Sequence, residues 1–404
     1  MKIQEKRRRR MGVWLIVIGS VIILATAAGL IFTRTVKTPD TTQKETVKPV
    51  AKPVGVTAND LFFGNMYWGR YMNDWSNASP LKTAYPFSRL NEFQRENYDA
   101  WITGLECPTV AGFSQTSAQE DSTLSFNCSP DYLPEAAKWF TAVTLANNHT
   151  DNRGPEGFAE TKQHLDDNKI QYFGHYDPDQ LNDVCEVVTL PVKVQYDDKS
   201  VKTQALPFAM CGYHGVFKIP SQESLAVMEQ YSKYMPVIAM PHMGVEYKPA
   251  PDELKTSTYR SMIDHGADMV IGDHPHWIQN TEAYNGHLIV YSMGNFMFDQ
   301  QDTAEVVRSA GINVKITLKD ADSAMLNKWL ALADSCKAFH DTCLEKIKDQ
   351  DVSKLDFTYQ FGVVGTNDSG KITKPATADQ QASILQRLDW TKTMSLLQAP
   401  YSSL

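Results

Sequence analysis

The sequence predicts an α/β fold built in layers. Short apolar runs rich in Val, Ile, Leu and Met alternate with longer amphipathic stretches, which is typical of strands that alternate with helices. A β-rich insertion at residues 184–218 interrupts this alternation. Polar clusters directly follow several of the apolar runs, and the carboxyl ends of strands are where open α/β sheets place their sites.

Residues 237–299 show this pattern most clearly. They contain three apolar runs, each followed by a polar cluster, within VIAMPHMGVEY, ADMVIGDHPHW and HLIVYSMGNFMFD. The stretch between the first two runs is predicted to be a helix. It begins after Pro251 and ends at Gly266, which are typical helix start and stop signals. The three runs are therefore predicted to be strands, with imidazoles and carboxylates at their ends.

The start of the chain is predicted to be a membrane anchor. Residues 1–11 form a basic tail, and residues 12–32 carry no charged side chain, which is long enough to span a bilayer core of about 30 Å. The positive-inside rule places the tail in the cytoplasm, so we expect a single-pass cell-membrane protein with an extracytoplasmic domain. A cleaved signal peptide is the alternative, since Ala25-Thr26-Ala27 resembles a cleavage site. Residues 33–58, with three prolines, are predicted to be an extended extracytoplasmic linker.

Residues 59–300 are predicted to form the main domain, and residues 301–404 its C-terminal part. Further strands are predicted at 61–63, 101–105, 142–145, 170–174, 184–190, 192–196, 206–212, 312–318 and 357–364. Further helices are predicted at 91–100, 134–140, 154–168, 221–234, 324–347 and 380–397. Beyond Asp299 the sequence indicates no chemistry, and these residues are interpreted as structural cover.

Composition limits the partners and the cysteine chemistry. The net charge of −8 argues against a nucleic-acid partner. The six cysteines are even in number and fit an exported chain with disulfides, and sequence proximity suggests the pairs 107–128, 185–211 and 336–343. Buried free thiols are the alternative interpretation.

Seven strand-end positions collect amide, carboxylate and imidazole groups. They are Asn65, Glu106, Asn148, His149, His242, His274 and His276. Such a set suits one or two divalent metal ions, for example Mn, Fe or Zn. In an extended segment residues i and i+2 point the same way, so both histidines of His274-Pro275-His276 can face one site. A pair of surface histidines is the alternative for this motif alone.

The order of these groups along the chain is that of binuclear metallophosphatases, and the chain more closely resembles the CapA family of capsule and poly-γ-glutamate biosynthesis proteins. The resemblance covers residues 60–300 and rests on six motifs, which are GNMYWGR, GLECP, LANNH, HMGVEY, ADMVIGDHPH and YSMGNFMFD. It implies a metallophosphatase-like layered sandwich of mixed β-sheets flanked by helices. An N-terminal anchor with the domain outside is also similar to that family.

The resemblance further implies roles for individual residues. The implied metal ligands are Asn65, Glu106, Asn148, His242, His274 and His276. His149 would be the general acid, and Asp151 is a candidate to orient it, with a helix-start aspartate as the alternative. Arg70, Glu246 and Asn295 are the candidate substrate-binding residues, Arg70 because its planar guanidinium suits carboxylates and phosphates.

One position departs from the family pattern. Asn65 stands where the family usually has an aspartate at the first metal, so one negative charge is missing. We therefore expect weaker binding of at least one ion. Asp273, where many relatives have another histidine, could restore part of that charge if its side chain points into the site.

Two functions from different classes are consistent with these observations. The first is a metal-dependent hydrolase or transferase of capsule or poly-γ-glutamate production, which acts on an anionic cell-surface polymer or its precursor. The second is a non-catalytic accessory subunit that binds polymer or assembles with other membrane subunits of a synthase complex. Asn65 favours the accessory role, while Asn148, His149, His274 and His276 favour the enzyme.

Overall fold

The computed structural model describes residues 50–338 and 342–404. The predicted basic tail, the predicted membrane anchor and most of the predicted linker lie outside these residues. Among the described residues, no helix combines the length and the apolar character that crossing a bilayer requires.

Strands and helices alternate through much of the described chain, which confirms the predicted α/β class. The strands are β1 Pro53–Met66, β2 Ala100–Leu105, β3 Ala142–Thr144, β4 Gln171–Phe173, β5 Cys185–Tyr196, β6 Val201–Cys211, β7 Val237–Ala239, β8 Met269–Ile271, β9 Thr281–Tyr284, β10 His287–Val290, β11 Asn295–Met297, β12 Arg308–Leu318, β13 Thr358–Asn367, β14 Lys374–Pro375 and β15 Tyr401–Ser403. The helices are α1 Arg70–Ala78, α2 Ser117–Thr123, α3 Leu133–Ala136, α4 Gly154–Asp167, α5 Gln222–Ala226, α6 Met228–Ser232, α7 Glu253–Asp264, α8 Ser323–Ala338, α9 Cys343–Lys348, α10 Ala378–Arg387 and α11 Trp390–Leu396.

Strand β1 joins the two halves of the mixed β-sheet. One of its edges pairs antiparallel with β12, while the other pairs first antiparallel with β5 and then parallel with β2. From β2 the parallel strands continue to β3 and β4. From β5 the order runs through β6, β7, β8, β10 and β9, with β6, β7, β8 and β10 parallel to one another. Parallel strands on both branches therefore bring their carboxyl ends to the site described below.

Side-chain alternation along the strands divides the core into two clusters. Phe62 and Ile102 point to one side and pack with residues of β5 to β8. Phe63 and Trp101 point to the other side, where Phe63 stacks on Phe296 at 3.9 Å between ring centroids. Alternate residues of a strand face opposite sides of a sheet, so β1 and β2 form a layer that is covered on both faces.

Strand β1 corrects the predicted start of the domain. The linker was predicted to extend to residue 58, but β1 begins at Pro53. Val56 and Ala58 are buried, and residues 53–57 pair with β5. The last residues of the predicted linker are therefore part of the folded domain.

Five predicted helices were wrong or incomplete. The predicted helix 134–140 ends at Ala136, and 221–234 is divided into α5 and α6. The predicted helix 91–100 is replaced by two short 3₁₀ turns, which are separated by Gln94 with a left-handed φ of 56°. Its last residue, Ala100, already belongs to β2. Residues 380–397 split into α10 and α11 at Asp389, whose φ is 53°. The predicted helix 324–347 is divided into α8 and α9.

The predicted cysteine pairing is confirmed. Disulfides join Cys107 to Cys128, Cys185 to Cys211 and Cys336 to Cys343. The second pair connects residues that lie directly opposite each other on β5 and β6.

Candidate functional site

The polar residues predicted at strand ends meet at one edge of the sheet. Asn65 lies near the end of β1, Glu106 follows β2 and Asn148 lies just beyond β3. On the other branch, isolated backbone bridges continue the ladder past the strands and connect His214, His242 and Asp273. The parallel sheet therefore determines which of these side chains become neighbours.

Asn148, His242 and His274 form the first ligand-like group. His242 Nε2 lies 2.9 Å from Asn148 Oδ1 and 3.1 Å from His274 Nδ1. All three residues are buried. Ligands about 2.1 Å from one ion stand about 3.0–3.5 Å from each other. The spacing of these three atoms is therefore compatible with a shared divalent ion.

Asn65, Glu106 and His276 form the second group, with Asn295 behind it. His276 Nδ1 donates to Asn295 Oδ1 at 2.8 Å, which leaves the Nε2 lone pair free, and a polar group that fixes the tautomer in this way is typical of metal-binding histidines. His276 Nε2 lies 3.9 Å from Glu106 Oε1 and 4.0 Å from Glu246 Oε1. Asn295 therefore positions His276, and its own predicted contact with substrate stays a prediction.

The two histidines reach the site through unusual backbone. His274 and His276 have φ values of 96° and 61°, a region that residues other than glycine rarely adopt. The extended geometry assumed for this pair from the sequence is therefore wrong, although both rings reach the strand-end cluster. Such local strain concentrates at functional sites.

Burial controls the protonation of these groups. It raises the pKa of the Glu106 carboxyl well above its usual range, and the neighbouring Asp273 and Glu246 raise it further. Burial and nearby imidazoles lower the pKa values of His242 and His274 well below 6.5, and burial lowers that of His276 to about 4. At neutral pH the imidazoles are uncharged and present lone pairs, as metal ligation requires.

Several buried oxygen atoms in this region have no hydrogen-bond partner. They are Asn65 Oδ1 and both carboxylate oxygens of Glu106 and of Asp273. Together with His242 these residues line a cavity of about 10 Å³, about the size of one small ion or water molecule. Unpaired buried oxygens are unfavourable, and a cation is a natural partner for them, so the residues present fit a divalent metal. Among the described residues, no group of three or more His, Cys, Asp or Glu side chains is by itself arranged to hold a metal ion.

A family model described as the bacterial capsule synthesis protein PGA_cap matches residues 60–300, more than half of the chain. The chain belongs to this family. It is 25% identical over 271 residues to the capsule biosynthesis protein CapA of Bacillus anthracis, covering 63% of each chain. It is 26% identical over 261 residues to the PGA biosynthesis protein CapA of Bacillus subtilis, covering 59% of this chain and 63% of the relative. The chain thus matches less than two thirds of the length of these relatives.

Among solved structures, a phosphatase of Mycoplasma pneumoniae aligns with a TM-score of 0.35 and 12% identity, over 66% of this chain and 90% of that one. A protein of Thermus thermophilus aligns with a TM-score of 0.34 and 10% identity, over 63% of this chain and 93% of that one.

In this PGA_cap chain, His149 is held by an amide. Its Nδ1 lies 3.0 Å from Asn152 Oδ1, and its ring packs on Phe126 at 4.1 Å between centroids. The orienting contact predicted for Asp151 is thus made by Asn152, while the Asp151 side chain is exposed. Helix α4 begins at Gly154 with Arg153 as its N-cap, so Asp151 is not a helix cap either. Burial lowers the pKa of His149 to about 4.

The guanidinium of Arg70 is already engaged by acidic side chains. Its Nε and Nη2 donate to the two carboxylate oxygens of Asp299 at 2.9 and 2.7 Å, and Nη1 contacts Asp121 at 3.3 Å. Since a bidentate pair satisfies most of the donor fork, binding of a substrate anion would have to compete with Asp299. The predicted substrate roles of Arg70 and of the half-buried Glu246 stay predictions.

Sequence reasoning missed His214. This buried residue donates from Nδ1 to the carbonyl of Tyr176, and its buried Nε2 has no hydrogen-bond partner. A backbone bridge pairs it with His242. The available signal was its position directly after the apolar run 206–212, which is the pattern that identified the other strand-end residues.

Proposed function

We propose that this PGA_cap protein is a metal-dependent hydrolase or transferase of capsule or poly-γ-glutamate biosynthesis. The observation that carries the proposal is the pair of neighbouring ligand-like groups, whose His274 and His276 rings lie 6.1 Å apart between centroids, together with the unpartnered buried oxygens of Asn65 and Glu106. Family membership supports the biological process. The proposed substrate is an anionic cell-surface polymer or its precursor.

Each group of residues would hold one divalent ion, chosen from Mn, Fe and Zn by ligand chemistry. Asn148, His242 and His274 would hold the first. Asn65, Glu106 and His276 would hold the second, with Asn295 fixing the His276 tautomer. When bound, such ions supply charge that stabilises an oxyanion and lower the pKa of water for attack at neutral pH.

His149 would move a proton from the attacking water to the leaving group. With its Nδ1 proton donated to Asn152 Oδ1, Nε2 is the atom that would accept the proton of the water and give it to the leaving group. Burial lowers the pKa of His149 to about 4, so the imidazole is neutral at pH 7 and would act as a base before it acts as an acid. Phe126 covers one face of the ring and limits contact with water.

The proposed location is the outer face of the cell membrane, with residues 12–32 as a single-pass anchor and residues 1–11 in the cytoplasm. The lack of charge in residues 12–32 and the basic block before them support this proposal. Other membrane subunits of a synthase complex are proposed as partners.

Metal content of the purified, untagged full-length chain tests the proposal. We expect about two ions per chain by elemental mass spectrometry and a loss of at least one in His274→Ala. His265→Ala is the matched control, since His265 contacts Glu229 and Gln222 outside the site. A chain that binds no Mn, Fe or Zn after supplementation would refute the metalloenzyme.

The accessory function remains the second candidate because of Asn65. An amide is a neutral and weaker ligand than a carboxylate. A chain that binds metal and polymer but turns over neither a phosphoester nor a γ-glutamyl amide would establish this second role.

A further inference from the structure

The charge that Asn65 lacks has a candidate replacement on the neighbouring branch of the sheet. Asp273 follows β8, and its backbone forms a parallel bridge with His242. The sequence left the direction of its side chain open. In the structure, the side chain lines the same small cavity as Asn65, Glu106 and His242.

We infer that Asp273 supplies the carboxylate ligand that replaces the missing charge at Asn65, so that the negative charge of the metal site has moved from the end of β1 to the end of β8. This inference rests on the metal site of the proposed function. Together, Glu106 and Asp273 give the site two carboxylates. Glu106 and an aspartate at position 65 would give the same number.

The carboxylate of Asp273 is buried and has no side-chain partner. Apart from the neighbouring backbone N–H groups of His274 and Gly294, nothing donates to either oxygen, and no ion pair of 4.0 Å or less involves Asp273 among residues 50–338 and 342–404. The buried Lys255, whose charge acts on this carboxylate, donates to Gln279 Oε1 at 3.1 Å. A buried carboxylate without such contacts is costly to maintain, unless a ligand completes its environment.

The backbone around the carboxylate leaves room for it. Gly64 and Gly104 flank the position, and a Cβ at these residues would lie 3.2 and 3.9 Å from Asp273 Oδ2. Asp273 Oδ2 is therefore beside the residue that precedes Asn65. Asn65 and Asp273 lie at the ends of different strands and border the same cavity, so one ion in that cavity would be close to both.

Asp273 differs from an ordinary buried acid because other buried oxygens at its cavity also lack side-chain partners. These are Asn65 Oδ1 and both carboxylate oxygens of Glu106. Asp60 is a matched contrast, since it is also fully buried without a side-chain partner but lies earlier on β1 and does not line this cavity.

Calorimetric titration of the untagged full-length chain with Mn²⁺ alone tests the inference. Asp273→Asn should weaken Mn²⁺ binding by about tenfold or more, while Asp60→Asn should leave it unchanged. The double variant Asn65→Asp/Asp273→Asn should recover most of the lost affinity, because it returns the carboxylate to β1. Circular dichroism of each variant checks its folding.

A single variant covers the case in which Asp273→Asn does not fold. Asn65→Asp alone should change Mn²⁺ affinity by less than about threefold if Asp273 already supplies the charge, and by about tenfold or more if it does not. Wild-type affinity in a folded Asp273→Asn variant would overturn the inference and leave the metal site intact. Failure of the wild-type chain to bind Mn²⁺ would instead refute the proposed metal site.

Discussion

Lys255 is fully buried on α7 and contacts only a few polar groups. Its Nζ donates to Gln279 and lies 5.2 Å from the centre of the Tyr259 ring. Burial lowers the pKa of the ammonium from 10.5 to about 7, against the opposing effect of nearby Asp273. The folded state thus binds this proton less tightly than the unfolded state does. As the pH falls from about 10.5 towards 7, the unfolded state takes up this proton before the folded state does, so the free energy of unfolding decreases.

Lys255→Met should therefore stabilise the protein most at low pH. We expect a gain in unfolding free energy of about 1–3 kcal/mol at pH 6, since a pKa difference of one between the folded and unfolded states corresponds to about 1.4 kcal/mol and the lost contacts to Gln279 and Tyr259 offset part of it. The gain should fall by more than half at pH 9. Denaturant unfolding at both pH values measures it, with the exposed Lys392→Met as control. A gain independent of pH would contradict the assigned pKa.

The predicted strand ends indicated which side chains lie close together in the folded protein. Asn65, Glu106, Asn148, His242 and His276 lie together because the parallel strands before them end at one edge of the sheet. The short apolar runs of the sequence marked where these strands end. Their role as metal ligands stays a prediction.

Side-chain direction and left-handed backbone were beyond the sequence. The direction of Asp273, the pairing of His149 with Asn152 and the φ values of His274 and His276 all depend on tertiary contacts. Local sequence patterns do not encode these contacts.

At the scale of elements, strands predicted from short apolar runs agree well with the structure, whereas helices predicted from long mixed stretches agree less well. Strand β2 was predicted as residues 101–105 and is observed as Ala100–Leu105. The predicted helix 91–100 was wrong. Leu90 and Phe93 are both buried, but they lie on a 3₁₀ turn, in which residues three apart share one face as they nearly do in an α-helix.

The disulfide Cys107–Cys128 fastens a segment that borders the site. Between these cysteines, Glu120 accepts hydrogen bonds from the backbone N–H groups of Arg70 and Asn127, and Phe126 packs on His149. Glu106 directly precedes Cys107. Loss of the bridge should therefore loosen the site as well as the fold.

Replacing both Cys107 and Cys128 with serine should lower the unfolding free energy by about 3 kcal/mol and weaken Mn²⁺ binding. Replacing Cys336 and Cys343 should cost about 2 kcal/mol, because that bridge closes a shorter loop, and should leave Mn²⁺ binding unchanged, because α8 and α9 contribute no residue to the site. Denaturant melts and calorimetry compare the two variants. Equal effects on Mn²⁺ affinity would show that the first bridge acts on global stability alone.

At the scale of the whole molecule, the family match and the folded unit differ in extent. The match ends at residue 300, but β12 pairs with β1 from Val56 to Phe62, and β13 pairs in turn with β12. Residues Ile312 and Ile316 of β12 are fully buried in the larger core. The segment beyond residue 300 thus completes the sheet on which Asn65 is carried.

A chain that ends at residue 300 should therefore fail to fold. Removal of β12 exposes one edge of β1 and part of its apolar face, and an unpaired apolar edge promotes aggregation. After extraction of the membranes with detergent, we expect this truncated chain to aggregate or to be rapidly cleaved by protease. A chain that ends at Tyr401 is the control, since it keeps this buried tyrosine and loses only the exposed residues 402–404, and it should remain folded. A detergent-extracted chain of residues 1–300 that resists protease and melts cooperatively would instead make the family-matched region an independent domain, and β12 and β13 would then only cover it.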